Sequence, residues 1–527
     1  MCDSMQVGIT SKAQPDRQEG ANMKSASLIF SAAVLAIVMA AGVSMAAEPA
    51  AGATPTFNTD VASILFNNCV VCHRPNQIAP MALMSYKEVR PWARAIKEKI
   101  IKGEMPPWRA DRRYGTFRND RRLSPEQVKT IVDWVDGGAP EGDTPLTAEM
   151  PVFKEGWSHP SGRPPDFVLE MAEPFKVPAE GELPNFTIYQ ELPPELKAKE
   201  HFLEAIQILP GVIPAVHHAS FGIVPLAPGQ MVGTGEAWPG GPIIPGALLD
   251  AKTGKSVGFT GDANEAAAGE GEGVAAGVNV RRRTETGTRF CCYVPGGNFQ
   301  QFRSGAGKRI PTEGYIAWGM HYTPIGKPLV DRTRVGFWFQ KEMTHEIVEI
   351  STGNQTHIVL GKQLVDNEFT PVRTAGVGNT GFPALPVIPP HAKNWAITSI
   401  RAFQDDVTLY VLWPHMHTRG KEMTYVVTYP DGREQVLLSV PNYDFNWQIF
   451  YELKEPIKIP AGSTIKTIGS YDNSSANKWN SAPQKEVYWS EQSWDEMYVG
   501  FLDISVDKRD LRLMKQTAGP QTTGGRR

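Results

Sequence analysis

Two hydrophobic patterns divide the chain. Between residues 86 and 101 the apolar positions lie three or four residues apart, as on one face of a helix. The segment Ser124-Pro125-Glu126-Gln127 has the cap and the first-turn proline of a helix start. We therefore predict a small all-α domain over residues 47–138.

From residue 167 onwards, short alternating or β-branched runs separated by turn residues replace the helical pattern. The clearest runs are 186–190, 221–224, 344–350, 407–413, 423–429 and 464–471. They predict two all-β sandwich or barrel domains. A Pro-, Gly- and Asn-rich run within 366–394 places their boundary, giving domains 166–365 and 366–510, and residues 261–280 predict a surface loop.

The N-terminal segment has the features of an export signal. Lys24 precedes an apolar run over 28–43, and small residues follow up to Ala47, which is typical of a secretory signal peptide cleaved after Ala46. Residues 1–22 are polar and of mixed charge, which places the translation start at Met23. An uncleaved membrane anchor is the alternative, because the run approaches membrane-spanning length. We expect a leader over 1–46 and a periplasmic or other extracytoplasmic protein.

Charge and composition bound the remaining segments. Residues 139–165 are rich in Pro, Gly and charge and predict a linker, and residues 511–527 predict a polar tail. The net charge of -3 gives no basic field for nucleic acid. Nucleic acid is therefore excluded as an expected partner.

The pentapeptide Cys69-Val70-Val71-Cys72-His73 has the spacing of covalent haem attachment. Each thiol adds to a haem vinyl group, and the histidine becomes an axial iron ligand. A zinc half-site is the alternative, but it needs a second ligand pair, and none follows before residue 139. We predict one covalent haem c bound by Cys69, Cys72 and His73.

The loop Gly103-Glu104-Met105-Pro106-Pro107-Trp108 offers the sixth iron ligand. The prolines stiffen the backbone after Met105, and methionine ligation raises the haem potential and suits electron transfer. Met81 and Met84 are alternatives closer to the haem motif. We predict Met105, in a domain that resembles bacterial cytochrome c modules fused to larger oxidases.

Further histidines occur in three tight contexts: His217-His218, Met320-His321-Tyr322 and His415-Met416-His417. Alternate residues of a strand share a face, so His415 and His417 are expected to face one side. Adjacent His217 and His218 diverge on a regular strand, but a bulge or turn after Pro214 would bring both to one ion.

The ligand types narrow the choice of metal. Imidazoles without carboxylates disfavour magnesium and calcium. Zinc remains open, and a thioether near one pair would favour copper. Met497, in the segment Trp494-Asp495-Glu496-Met497-Tyr498, offers that thioether.

In order, spacing and flanking residues, this arrangement resembles the copper type II, ascorbate-dependent monooxygenases, which include peptidylglycine and dopamine hydroxylating enzymes. The resemblance covers roughly residues 166–510 and implies two jelly-roll-like β domains with one copper each. The ligands that it implies are, for the first copper, His217, His218 and His321, and, for the second copper, His415, His417 and Met497.

The chain also departs from that family. Peptide-amidating members have an arginine at the position of Trp413 and a tyrosine at the position of Phe501. These apolar residues disfavour a glycine-extended peptide and favour a small, uncharged, partly apolar substrate. The family's disulfide framework is absent. Cys291 and Cys292 would form a labile vicinal disulfide, two free thiols or a copper ligand pair.

The resemblance also implies roles for the metals. The copper at His415, His417 and Met497 would activate O2 and remove hydrogen from a substrate C–H bond, which makes these residues catalytic. The first copper would store and pass the second electron. The fused haem indicates a periplasmic electron donor: a cytochrome, a quinol-linked donor or an ascorbate-like reductant.

The sequence is also compatible with two other functions. A pure haem and copper electron carrier would be supported by a Cys-His-Met blue-copper set, but no cysteine lies near these histidines in the sequence. A copper-binding or copper-delivery module fused to a cytochrome would bind copper tightly without consuming O2.

Overall fold

The computed structural model describes residues 54–511 except 154–155, 239, 258–287, 295–296, 353–386 and 488–492. Within 353–386 it describes only the backbone of two short strands. The predicted signal peptide, the 261–280 loop, most of the 366–394 boundary segment and the tail from residue 512 lie outside the described residues. The side chains of Cys291 and Cys292 also lie outside them.

The described N-terminal segment is helical. A π-helical turn spans Phe57–Val61, and a 3-10 turn spans Arg90–Trp92. The α-helices are α1 (Ala62–Asn68), α2 (Tyr86–Val89), α3 (Ala93–Ile101) and α4 (Pro125–Asp136). The pattern over 86–101 thus forms two helices, because Pro91 in the intervening turn lacks a backbone N–H.

Ser124 begins α4 with the capping box that the sequence predicted. Its side chain accepts a hydrogen bond from the N–H of Gln127, whose side chain accepts one from the N–H of Ser124. The helices close over a core in which Phe57, Leu65 and Trp134 are almost fully buried. The Cys69–His73 segment packs on this core through Cys69 and Val70.

After α3 the chain leaves the helical core. Trp108 and Phe117 are buried in the core of the second β region, where both contact Tyr451 at ring-centroid distances of 5.0 and 5.5 Å. The backbone of Phe117 also forms an isolated bridge with Leu453. The stretch between α3 and α4, although predicted as part of the all-α domain, therefore packs on β structure.

From residue 167 the described chain is mostly β-sheet, with one further helix, α5 (Pro194–Lys197). The strands of the first β region are β1 (Phe167–Glu170), β2 (Phe175–Val177), β3 (Phe186–Glu191), β4 (His201–Leu209), β5 (Val216–Val224), β6 (Gln230–Glu236), β7 (Ile243–Asp250), β8 (Thr288–Tyr293), β9 (Phe299–Gln301), β10 (Gly305–Gly307), β11 (Arg309–Ile310), β12 (Tyr315–Tyr322), β13 (Leu329–Asp331), β14 (Arg334–Phe339) and β15 (Met343–Glu346).

Two sheets enclose the core of the first β region. One has the order β1-β14-β4-β11 with β9 also paired to β4, and the other has the order β3-β12-β5-β8. In β12 the residues Ile316, Trp318, Met320 and Tyr322 are buried, whereas the alternate residues are only partly buried. His321 therefore lies on the face of this sheet that points away from the core.

The second β region is also built from two sheets. Its strands are β16 (Val348–Ser351), β17 (Gln363–Val365), β18 (Glu368–Thr370), β19 (Trp395–Ala402), β20 (Val407–His415), β21 (Gly420–Thr428), β22 (Glu434–Val440), β23 (Tyr451–Ile459), β24 (Thr464–Tyr471) and β25 (Val499–Val506). The sheets have the orders β16-β25-β20-β23 and β18-β17-β19-β24-β21-β22.

The change from one β core to the other comes earlier than the sequence predicted. Ile347 packs in the first core and Ile350 in the second. Strand β16 pairs with β25, so the chain has entered the second region before residue 366. Hydrophobic alternation over 344–350 was interpreted as one strand, whereas it spans two.

A buried ion pair joins the two β regions. Nζ of Lys308 lies 3.1 Å from the carboxylate of Asp503, and the two side chains are 2% and 5% exposed. From Pro55 onwards the chain forms one compact unit. Among the described residues, no helix is both long enough and apolar enough to cross a membrane.

Candidate metal centres

The first histidine cluster brings together His217, His218 and His321. One ring nitrogen of each lies within 4.8 Å of the others, and the Nδ1 atoms of His217 and His218 are 3.1 Å apart. Nδ1 of His321 is buried and has no hydrogen-bond partner. A buried nitrogen without a partner, beside two others, fits a shared metal ion.

A β-bulge explains how two adjacent histidines reach one point. In the pairing of β5 with β12, His321 is opposite His218 but Tyr322 is opposite Val216. His217 is thus the extra residue of β5, so the alternation of side chains is interrupted there. The sequence predicted an irregularity after Pro214, and the structure places it at His217.

The first cluster favours neutral imidazoles. Burial, together with the nearby His217, lowers the pKa of His321 to about 3. Burial also lowers the pKa of His218 well below its usual range, as do the neighbouring histidines of both clusters. Because a neutral imidazole is the form that binds a metal, these rings are ready to act as ligands at neutral pH.

The second cluster joins the end of β20 to the segment before β25. Nε2 of His415 lies 3.3 Å from the sulfur of Met497, and the rings of His415 and His417 are 5.4 Å apart. Burial lowers the pKa of His415 to about 4. Two imidazoles and one thioether form a donor set that suits copper.

Both histidines of this cluster face the same cavity, as expected, but they do not share one strand. Strand β20 ends at His415, and His417 lies in the loop beyond it. The buried carboxylate of Glu496 holds this loop, because it accepts hydrogen bonds from the N–H groups of His417 (2.8 Å) and Arg419 (2.7 Å). The position of His417 is thus set by the side chain of Glu496 rather than by strand pairing.

Hydrogen bonds at Nδ1 orient both rings of the second cluster. Nδ1 of His415 lies 2.6 Å from Oε1 of Gln448, and Nδ1 of His417 lies 3.2 Å from the carbonyl oxygen of Asp495. Such bonds place the proton on Nδ1 and leave Nε2 as the metal-binding atom. The 3.3 Å distance from His415 Nε2 to Met497 agrees with this tautomer.

A cavity of about 320 Å³ connects the two clusters. Its wall includes His218 from the first β region, His415, His417 and Met497 from the second, and Trp413. Trp413 and Phe501 stack at 4.6 Å beside His415. The cavity is large enough for a small organic molecule and places it against the second cluster.

Phe445 separates the clusters. Its ring centroid lies 5.7 Å from that of His217 and 5.7 Å from that of His417. Sequence reasoning missed Phe445, Asn446 and Gln448, which come from a loop between β22 and β23 that carries no metal-binding pattern. In the sequence, Glu496 was notable only because it precedes Met497, and no role was predicted for it.

The Cys69–His73 segment forms a helical turn, in which the N–H groups of Cys72 and His73 donate to the carbonyl of Cys69. Burial, together with the nearby Cys72, raises the pKa of Cys69 to about 12. Nδ1 of His73 lies 3.3 Å from the carbonyl oxygen of Met81, which leaves Nε2 as the ring nitrogen suited to metal binding. Neither thiol forms a disulfide, and both side chains are partly buried.

The methionine candidates differ in setting. Met81 and Met84 pack against the helical core. Met105 is half-buried in the turn after α3, where its N–H donates to the carbonyl of Lys99. The fold thus keeps all three as candidates for the sixth ligand.

The Cys69–His73 segment lies within electrostatic range of the first β region. Burial raises the pKa of Tyr293, and the charge of Cys72 contributes to the rise. Tyr293 is opposite Ala219 in the pairing of β8 with β5. Ala219 follows His218 directly, so the motif approaches the strand that carries the first cluster.

Comparisons with known proteins give little further guidance. No protein-family model and no curated protein matches the chain. A glucose-, magnesium- and calcium-bound protein of Listeria monocytogenes has a TM-score of 0.14 at 12% identity, with 36% of this chain and 14% of that chain covered. The VP2 subviral particle of infectious bursal disease virus has a TM-score of 0.16 at 9% identity, with 65% and 72% covered.

Proposed function

We propose that this protein is a copper-dependent monooxygenase that hydroxylates a C–H bond of a small, uncharged organic molecule with O2. The observation that carries the proposal is the shared cavity, which has His218 of one cluster and His415, His417 and Met497 of the other in its wall. Storage or delivery of copper needs no such chamber between two different donor sets.

The donor atoms fit copper at both clusters, with His217, His218 and His321 holding one ion and His415, His417 and Met497 the other. Bound copper would supply one-electron chemistry with O2. Met497 is a soft donor that favours the cuprous state, whereas the three imidazoles of the first cluster suit either state. The clusters therefore have unequal roles, with the second as the catalytic one.

The chain's own residues prepare the cavity for an apolar substrate. Trp413 lines the cavity, and the rings of Phe501 and Phe450 pack against it at centroid distances of 4.6 and 4.5 Å. Trp413, held by these two rings, forms an apolar wall beside His415. A flat or aliphatic substrate packed on this wall would have a C–H bond close to the second cluster.

A fused haem c, bound by Cys69, Cys72, His73 and Met105, would deliver the electrons. The closeness of Cys72 to Tyr293, and of Tyr293 to the strand of His218, supports a route from haem to the first cluster. A periplasmic cytochrome, a quinol-linked donor or an ascorbate-like reductant would reduce the haem. This assignment completes the proposed architecture of a cytochrome c domain and two jelly-roll-like β domains.

The decisive experiment is product analysis after the copper-loaded, reduced full-length protein meets candidate small organic substrates and labelled O2. We expect label in a hydroxyl group of the product. His417→Ala should abolish labelling and leave the haem spectrum intact, while His345→Gln, which alters a histidine outside both clusters, should retain it. Copper binding without label from any substrate would favour a haem and copper electron carrier instead.

A further inference from the structure

One short loop contacts both clusters and the N-terminal segment. Asn446 accepts a hydrogen bond at 3.3 Å from Nε2 of His217, and the adjacent Phe445 stacks on the ring of His217. Asp444, two residues before Asn446, accepts hydrogen bonds from its N–H and from its side-chain amide, each at 3.1 Å. The loop residues Asp444, Phe445 and Asn446 are called the coupling loop below.

The N-terminal segment fixes this loop by an ion pair. Arg109 donates to the other carboxylate oxygen of Asp444 at 2.9 Å, and both side chains are mostly buried. Arg109 lies four residues after Met105 in the chain. A continuous series of polar contacts therefore runs from the segment that follows α3, through Asp444 and Asn446, to His217.

We propose that Arg109, Asp444 and Asn446 are positioning residues for the first copper site, which makes that site depend on the docking of the haem-carrying segment. The inference rests on the proposed copper site at His217, His218 and His321. It assigns to the coupling loop a role that the ligand residues alone do not explain.

The direction of each hydrogen bond supports this role. If Nε2 of His217 donates to Asn446, its proton is fixed there, and Nδ1 is left with a lone pair facing Nδ1 of His218. The carboxylate of Asp444 draws the amide hydrogens of Asn446 towards itself and so polarises the amide oxygen as an acceptor. Arg109 holds the carboxylate in place by a charge-assisted bond.

The coupling loop also sets the spacing between the clusters. Phe445 contacts His417 of the second cluster as well as His217 of the first. Movement of Asp444 would shift this ring together with Asn446. Loss of the Arg109 ion pair should therefore disturb the first site although Arg109 touches no ligand among the described contacts.

The test uses the full-length haem protein carrying His417→Ala, so that copper binds at the first cluster alone. Asn446→Leu keeps the branched shape of the side chain and removes the acceptor, whereas Asn446→Gln keeps both the acceptor oxygen and the amide donor. We expect Asn446→Leu to raise the copper dissociation constant about 10-fold or more and to change the cupric electron paramagnetic resonance spectrum. Asn446→Gln should stay closer to the parental values in both measurements.

Arg109→Gln should change the spectrum in the same direction as Asn446→Leu, with a smaller rise in the dissociation constant. Arg113→Gln is the matched control, since the exposed Arg113 pairs with Asp111 and not with a residue of the coupling loop. It should change neither the dissociation constant nor the spectrum. Parental affinity and spectrum in Asn446→Leu would overturn this inference and leave the proposed function standing. Absence of copper from the first cluster in the parental protein would overturn both.

Discussion

The sulfur of Met497 lies 3.3 Å from Nε2 of His415, although 82 positions separate the two residues in the chain. Pairing of β20 with β25 brings them together, because His415 is opposite Val499 in that ladder. Sheet topology thus places a thioether beside an imidazole that would otherwise be far from it.

Met497→Leu keeps the side-chain volume and removes the sulfur. We expect cuprous affinity at the second cluster to fall by more than the roughly 10–100-fold that loss of an outer partner costs, while the first cluster keeps its copper. Anaerobic titration against a competing cuprous chelator measures both sites. Met416→Leu, at a fully buried methionine one residue from His415, is the control; equal titrations of the two variants would contradict the ligand assignment.

Glu496→Gln should weaken the loop that carries His417. The carboxylate accepts from two backbone N–H groups while fully buried, and an amide presents only one acceptor oxygen. Leaving a buried donor without a partner costs about 1–3 kcal/mol, so the metal-free variant should unfold at lower urea concentration. An unchanged urea midpoint would show that this loop is held by other contacts.

The buried ion pair between Lys308 and Asp503 predicts a large effect on stability. Lys308→Met leaves the carboxylate of Asp503 buried without its partner, which should cost about 3–5 kcal/mol in the free energy of unfolding. Lys458→Met removes a lysine that is 71% exposed and pairs with Asp507, and it should cost about 1 kcal/mol or less.

Chemical denaturation of both lysine variants measures the difference. Similar losses of stability would mean that the boundary between the β regions is open to water around Lys308. Partial restoration of stability in the double variant Lys308→Met with Asp503→Leu would support the buried assignment, because it removes the carboxylate of Asp503. The carboxylate of Glu349, 3.8 Å from Nζ of Lys308, remains in that variant.

Substitution of the three candidate methionines identifies the sixth haem ligand. We expect Met105→Ala to remove the absorption band that is diagnostic of methionine ligation to ferric haem and to lower the haem potential. Met81→Ala and Met84→Ala should retain the band, since their side chains pack in the helical core. If the band is lost in one of these two variants and retained in Met105→Ala, the substituted methionine of that variant is the sixth ligand instead of Met105.

The sequence predicts local features of the fold better than its long-range ones. Alternation correctly indicates the mostly β character after residue 167, and the capping box at Ser124 marks the start of α4. The burial of Trp108 in the second β core could not be read from the chain. Its partner Tyr451 is more than three hundred residues away, and no local pattern records such a contact.

The clustered histidines were predictable because histidine pairs are chemically distinctive, whereas Met497 was indicated only by the family resemblance. Their supports were not, because Gln448 and Asn446 are ordinary polar residues of a loop until the fold places them at Nδ1 of His415 and Nε2 of His217. The expected strand geometry of His415 and His417 was wrong for a similar reason. The strand ladder ends at His415, and the carboxylate of Glu496 holds His417 by its backbone N–H.

Metal analysis of the native full-length protein tests the central claim most directly. Two copper ions per haem iron are expected, falling to one in His321→Ala and to one in His417→Ala, with the iron content unchanged. Iron alone in the correctly matured protein, or two retained copper ions in either variant, would contradict the account.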